Sequence, residues 1–167
     1  MTDKTTPKTP KTLGVIASVW TFVVILLTVI MGSGPLFALR LAGGIVGLGA
    51  LVLVFSSLMA LGKGNEAASA EANPDGVRLS KRGVYRLIRH PRYLGFMLIN
   101  VGFGLLAQNL PVIILAVIGI ILFWLHSIQE DRHCLTVFGP DYEAYSSRVP
   151  RLNLIAGVIR ALTRSAS

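Results

Sequence analysis

Two groups of polar side chains in this chain sit directly against apolar sequence. The first is Arg89-His90-Pro91-Arg92-Tyr93, which runs straight into an apolar stretch ending at Ala107. In the second, His126, Gln129, Glu130 and His133 recur at steps of three, one and three. That spacing gathers them on one face of a helix. A carboxylate at the end of an apolar helix is costly unless paired or hydrated, which inside a membrane marks a functional site. The first group offers cations to a carboxylate or phosphate; the second, with nearby tyrosine rings, offers a carboxylate to a cation. A ligand carrying both kinds of charge suits the pair. Glu130 and His133 also form an E-x-x-H step with His126 one turn earlier, a pattern seen in metal sites. A di-metal bundle needs several such carboxylates from different helices, so no metal is expected.

The elements that must position these groups are apolar. Of 167 residues 53% are hydrophobic and only 14% charged, and mean hydropathy is +0.65. A soluble domain carries about a quarter charged residues, so a membrane protein of one domain is expected. The net charge of +8 does not indicate a nucleic-acid binder, because the basic residues lie between apolar runs and not on one soluble face. The single cysteine, Cys134, cannot form an internal disulfide. Residues 1–12, rich in Thr, Lys and Pro, cannot bury apolar area and read as a disordered tail. Residues 13–167 then form the single domain.

Its fold class reads as all-α: a polytopic integral membrane helical bundle with about four membrane segments. Spans are expected at residues 13–31 and 36–61, separated by the tight Gly32-Ser33-Gly34-Pro35 link, and at 93–107 and 111–128. The last two form a helical hairpin, because Asn109 and Pro111 interrupt the helix near Leu110. Arg40, in the first turns of the second span, reads as a snorkelling residue. Gly43 and Gly47, in GxxxG spacing, read as a site of close helix packing and not a nucleotide loop. A polar loop fills 62–92 and a C-terminal lid 130–167. The tail, the loop and everything after 131 are rich in Lys and Arg, whereas the two short links contain none. The positive-inside rule places both termini in the cytoplasm.

Arg89 to Gly95, "RHPRYLG", resembles the R-H-P-x-Y-x-G signature of the isoprenylcysteine carboxyl methyltransferases and the related phospholipid methyltransferases. Glu130 to Leu152, "EDRHCLTVFGPDYEAYSSRVPRL", is similar to their second signature of two acids, a leucine, F-G-x-x-Y-x-x-Y and V-P-R. The likeness covers roughly residues 78 to 155. Three positions depart from it: the second acid is Asp131, the expected leucine is Cys134, and no proline follows V-P-R.

The resemblance implies a membrane enzyme with a cytosol-facing pocket for S-adenosylmethionine, closed by the C-terminal segment, and a lipid-like or small hydrophobic acceptor entering from the bilayer. It implies that Arg89, His90, Tyr93, Gly95, Tyr142 and Tyr145 contribute to the cofactor site, with Pro91 shaping the turn before the helix. Glu130 would bind the cofactor or lie at the reaction centre, and Arg151 would pair with Glu130 or with an acceptor carboxylate. A carboxylate acceptor is favoured because it needs no general base; an amine or thiol would need one, and Glu130, His126 or His90 could serve. Residues 152–162 read as an interfacial helix with Arg160 and Arg164 toward lipid phosphates. Two alternatives stand beside this reading: an NADPH-dependent membrane reductase of related fold, and a small membrane protein without enzymatic activity.

Overall fold

The structure, a computed structural model, describes residues 11–67, 79 and 81–165. The predicted disordered tail falls almost wholly outside the described residues. Among these residues the regular elements are all helical: α1 (Lys11–Met31), α2 (Phe37–Ala67), a 3-10 turn (Gly83–Arg86), α3 (Pro91–Ala107), α4 (Leu110–Phe138), α5 (Pro140–Arg148) and α6 (Leu154–Ser165). Within α1, α2 and α4, stretches of 20, 25 and 29 residues are long and apolar enough to cross a membrane. α3 has 17 residues, about 25 Å of helix. The chain is therefore a polytopic membrane bundle. Its outer surface carries Val29, Ile30, Leu48 and Phe55, each more than half exposed, as suits helices whose solvent is lipid.

α3 is the central element and packs on α1, α2 and α4. Hydrocarbon offers no hydrophobic drive for helices to associate, so close backbone approach at small residues has to supply the contact. It does so at Gly43, Gly47 and Gly102. A Cβ on Gly43 would lie 2.7 Å from the Gly102 carbonyl oxygen, and one on Gly102 would lie 3.2 Å from the Gly47 nitrogen. On the opposite side of α3, fully buried Asn100 donates from Nδ2 to Thr21 Oγ1 of α1 at 2.9 Å. The indole of Trp20 donates to the Leu115 carbonyl at 2.8 Å, fastening α1 to α4.

The hairpin turns one position earlier than its proline suggested. α3 ends at Ala107, Gln108 adopts a left-handed conformation (φ 51°), and Asn109 is the N-cap of α4, accepting from Val112 N at 3.1 Å. Pro111 therefore sits in the first turn of α4, where its missing N–H costs nothing. Gln108 also joins the two short links, exchanging 3.0 Å hydrogen bonds with the backbone of Leu36. Two other boundaries shift. Pro91 is the first residue of α3, not part of the turn before it. α4 continues to Phe138, since nothing between 128 and 138 opposes a helix until Gly139 (φ 50°) and Pro140 end it. Residues 130–138, expected in the lid, are thus part of a long rigid helix.

Candidate functional site

Glu130 and Asp131 are neighbours on α4, so their side chains leave the helix about 100° apart and cannot share one pocket. Each organises its own group of residues. Asp131 is 4% exposed and faces α5 and the segments that flank it. His90 Nε2 lies 2.7 Å from its Oδ1, Arg89 Nη1 is 3.1 Å and Arg151 Nε 2.6 Å from Oδ2, and the Tyr142 hydroxyl donates to Oδ1. A buried carboxylate requires this degree of pairing to offset its desolvation. Two backbone bonds run beside the cluster: Arg89 N donates to the Pro150 carbonyl at 3.0 Å and His90 N to the Arg151 carbonyl at 3.2 Å. They hold the segment after α5 against the start of α3.

α5 closes this side as a small aromatic lid. Tyr142, Tyr145 and Val149 form its buried core with Phe138 and Cys134 packed against it. The Tyr145 hydroxyl donates to the Tyr85 carbonyl at 2.7 Å. Burial pushes the Tyr142 phenol well above its ordinary value, and the bond to the Asp131 carboxylate raises it further. Burial likewise raises Tyr145, against the opposing effect of the nearby Arg89 guanidinium.

Glu130 faces the other way, into a cavity of about 730 Å³ bounded by all four long helices. The Tyr93 hydroxyl donates to Glu130 Oε2 and lies 3.1 Å from His126 Nε2. The Tyr93 hydroxyl thus lies between a carboxylate oxygen and an imidazole nitrogen. The Nδ1 of His126 is buried with no partner among the described residues. α1 comes very close at this point, for a Cβ on Gly14 would be 2.6 Å from His126 Nε2. Arg92 lines the same cavity with its guanidinium 5.5 Å from the Tyr93 ring centre. Phe96 and Phe123, stacked at 5.0 Å, form an apolar wall.

The remaining walls are Val15, Val19, Val54 and Leu58 from α1 and α2. α1 packs chiefly on α3 and α4, and α2 on α3. Val15, Val19 and Leu58 border the cavity and are also about half exposed on the lipid-facing surface. The cavity therefore opens sideways between α1 and α2. Tyr93 is the shared partition: its ring stacks on His90 at 5.4 Å, on the Asp131 side, and its hydroxyl reaches the cavity.

With the geometry in place, the comparison with known proteins decides the lineage. Residues 38–141, well over half the chain, match the phospholipid methyltransferase family. The chain belongs to that family. The matched segment contains all but the first residue of α2, the Arg89–Tyr93 motif, the α3–α4 hairpin and both acids. Protein-S-isoprenylcysteine O-methyltransferase B of Arabidopsis thaliana is 34% identical over 74 residues, which are 44% of this chain and 38% of that protein. The chain thus spans well under half the length of that relative. No solved structure matches it.

The structure sorts the motif residues of this family member into two groups. Tyr93 and Glu130 do meet in the cavity, together with His126 and His133, whereas Gln129 is exposed. Arg89, His90 and Tyr142, expected to touch a cofactor, are directed onto Asp131, because a buried carboxylate draws the cations and donors within reach. Arg151 pairs with Asp131, not with Glu130. Tyr145 is engaged with the backbone at Tyr85. Gly95 faces α2: a Cβ there would collide with the Val54 side chain and lie 3.2 Å from the Ala50 oxygen, so the glycine serves helix packing. Sequence reasoning missed Asp131 as a hub and Arg92 as a cavity cation. The signal for Asp131 was its adjacency to Glu130, since consecutive helix positions diverge. Among the described residues no three His, Cys, Asp or Glu side chains converge as a metal site would require.

Proposed function

We propose that the protein transfers a methyl group from S-adenosylmethionine to a lipid-like or small hydrophobic acceptor, preferably at a carboxylate, on the cytoplasmic face of the membrane. One observation carries the reading: a single cavity combines Glu130, Tyr93 and Arg92 with apolar walls that open toward lipid. The residues suit the cofactor chemically. A carboxylate and aromatic rings complement a sulfonium and an ammonium. When bound, S-adenosylmethionine supplies a methyl group on positively charged sulfur that a nucleophile can accept by in-line displacement.

Glu130 would hold the cofactor's positive charge, with Tyr93 fixing the carboxylate in place. Arg92, the arginine on the cavity wall, would take the role expected of Arg151 and pair with the acceptor's carboxylate. The Asp131 cluster would act indirectly, holding the lid and keeping the Arg89–Tyr93 segment rigid. Phe96, Phe123 and the walls from α1 and α2 exclude water around the reacting atoms; positioning and desolvation of this kind can be worth about 7 to 11 kcal/mol. Both termini would be cytoplasmic, as the absence of Lys and Arg from the links 32–35 and 108–109 suggests.

Calorimetry on purified protein in detergent tests the cofactor, using S-adenosylmethionine and its demethylated product. Binding should be lost or weakened at least tenfold in Glu130→Gln and unchanged in Arg40→Ala, whose position is about 21 Å along α2 from the cavity residue Val54. Folded wild-type protein that binds neither compound at millimolar concentration would refute the proposal. Label transferred from a radioactive donor into lipid extracts would then identify the acceptor.

A further inference from the structure

Outside the cavity, the structure has a second recess at the end of the bundle that carries the Asp131 cluster, between the 3-10 turn and α5. Its volume is about 310 Å³ and its walls include Lys81, Arg86, Asp141 and Arg148, with Tyr145 and Val149 supplying apolar surface. The three basic side chains are exposed, and none is in an ion pair with a described residue. With only Asp141 to oppose them, they leave the recess a surplus of positive charge. Cations gathered around a concave site without a partner of their own recognise an anion with several oxygens, such as a phosphate.

What lies beside the recess narrows the source of that phosphate. Arg86 on its wall is followed by Leu87, and α6 is seated on the Leu87 carbonyl at Gly157, where any Cβ would collide with that oxygen. From this seat α6 turns an apolar stripe outward: Ile155, Ile159 and Leu162 are all more than half exposed, while Arg160 lies on the opposite side of the helix. In a protein already held in a bilayer, such a helix rests in the adjacent leaflet with its basic side toward the headgroups. We infer that the recess formed by Lys81, Arg86 and Arg148 seats the phosphate of an anionic lipid in the leaflet on which α6 lies. The apolar surface of Tyr145 and Val149 faces the glycerol end of such a lipid, which a free phosphate lacks.

The test uses no methyl transfer, so it stands or falls apart from the proposed activity. Full-length protein is reconstituted in phosphatidylcholine vesicles containing spin-labelled phosphatidylglycerol or spin-labelled phosphatidylcholine. The motionally restricted fraction of each gives their relative association. Wild type should prefer phosphatidylglycerol, by about fivefold for each cation engaged, and the triple variant K81Q/R86Q/R148Q should show a preference near one. All three side chains are exposed, so the variant should fold; unchanged far-ultraviolet circular dichroism checks this, and the three single substitutions provide a graded series. Arg132→Gln, an exposed cation on α4 away from the recess, should lower the preference less than any of the three. No preference in wild type, a preference that survives the triple change, or an Arg132 effect as large as theirs would overturn the assignment. So would collapse of the preference in millimolar inorganic phosphate at constant ionic strength, which would make the recess a soluble-anion site.

Discussion

Two adjacent acids with different surroundings divide the labour of the site. Asp131 is buried among Arg89, His90, Arg151 and Tyr142, so Asp131→Asn leaves cations without their counter-charge. A buried pair broken on one side costs about 3 to 5 kcal/mol. The expected result is a markedly lower midpoint of thermal unfolding in detergent. Glu130 borders a cavity, and water can enter when it is changed, so Glu130→Gln should leave that midpoint nearly unshifted while removing cofactor binding. Equal destabilisation by both would show that the acids form one structural cluster. The motif residues were legible in the sequence as a set. Their division was not, because it depends on which side of α4 each acid faces, and that required knowing that α4 stays helical through residue 131. Arg92 was passed over for the same reason: nothing in a basic run says which arginine faces a cavity and which a carboxylate.

Helix contacts divide the glycines of α2 in the same way. Gly43 meets the α3 backbone, whereas a Cβ on Gly44 would find nothing within 4 Å. Gly43→Val must push α2 and α3 apart and should cost about 1 to 3 kcal/mol or more, while Gly44→Val should be nearly neutral; unfolding of the two variants in parallel separates them. The lid makes a prediction about pH. Tyr142 and Tyr145 have phenols raised above the ordinary value of 10.0 by burial. Their folded state binds the proton more tightly than the unfolded chain does. This stabilisation is complete below pH about 10 and is lost as pH rises through the higher folded values. Absorbance of tyrosinate near 295 nm should therefore appear late and together with unfolding, not as an early separate step. The bundle was legible in the apolar run lengths, and a close helix contact on α2 in the glycine spacing, though not that α3 makes it. The hairpin turn was placed slightly wrong because Asn109 reads equally as a stop for one helix and a cap for the next.

At the scale of the molecule, α3 holds the bundle together while α1 and α2 remain apart near the cavity, and this arrangement supplies an entrance from lipid without a loop or channel. The cavity borders the Asp131 cluster and its lid on one side, through Tyr93, and the lipid-facing surface on the other, through Val15, Val19 and Leu58. Under the proposed function, the water-soluble donor would come from the side of the Asp131 cluster and the lipid-soluble acceptor from the gap between α1 and α2. Leu58 stands at the entrance, about half exposed and lining the cavity, while Glu130 and Tyr93 lie on the far wall. A larger side chain at position 58 should obstruct the passage of an acceptor's chain and leave the polar end of the cavity unaltered. For Leu58→Trp, calorimetry should give cofactor affinity within about twofold of wild type, a change of under about 0.4 kcal/mol. Methyl transfer to long-chain acceptors should fall at least tenfold, with short-chain acceptors affected less. Loss of cofactor affinity in step with transfer would mean that the gap between α1 and α2 admits the donor instead, and would reverse the two approaches proposed for the cavity.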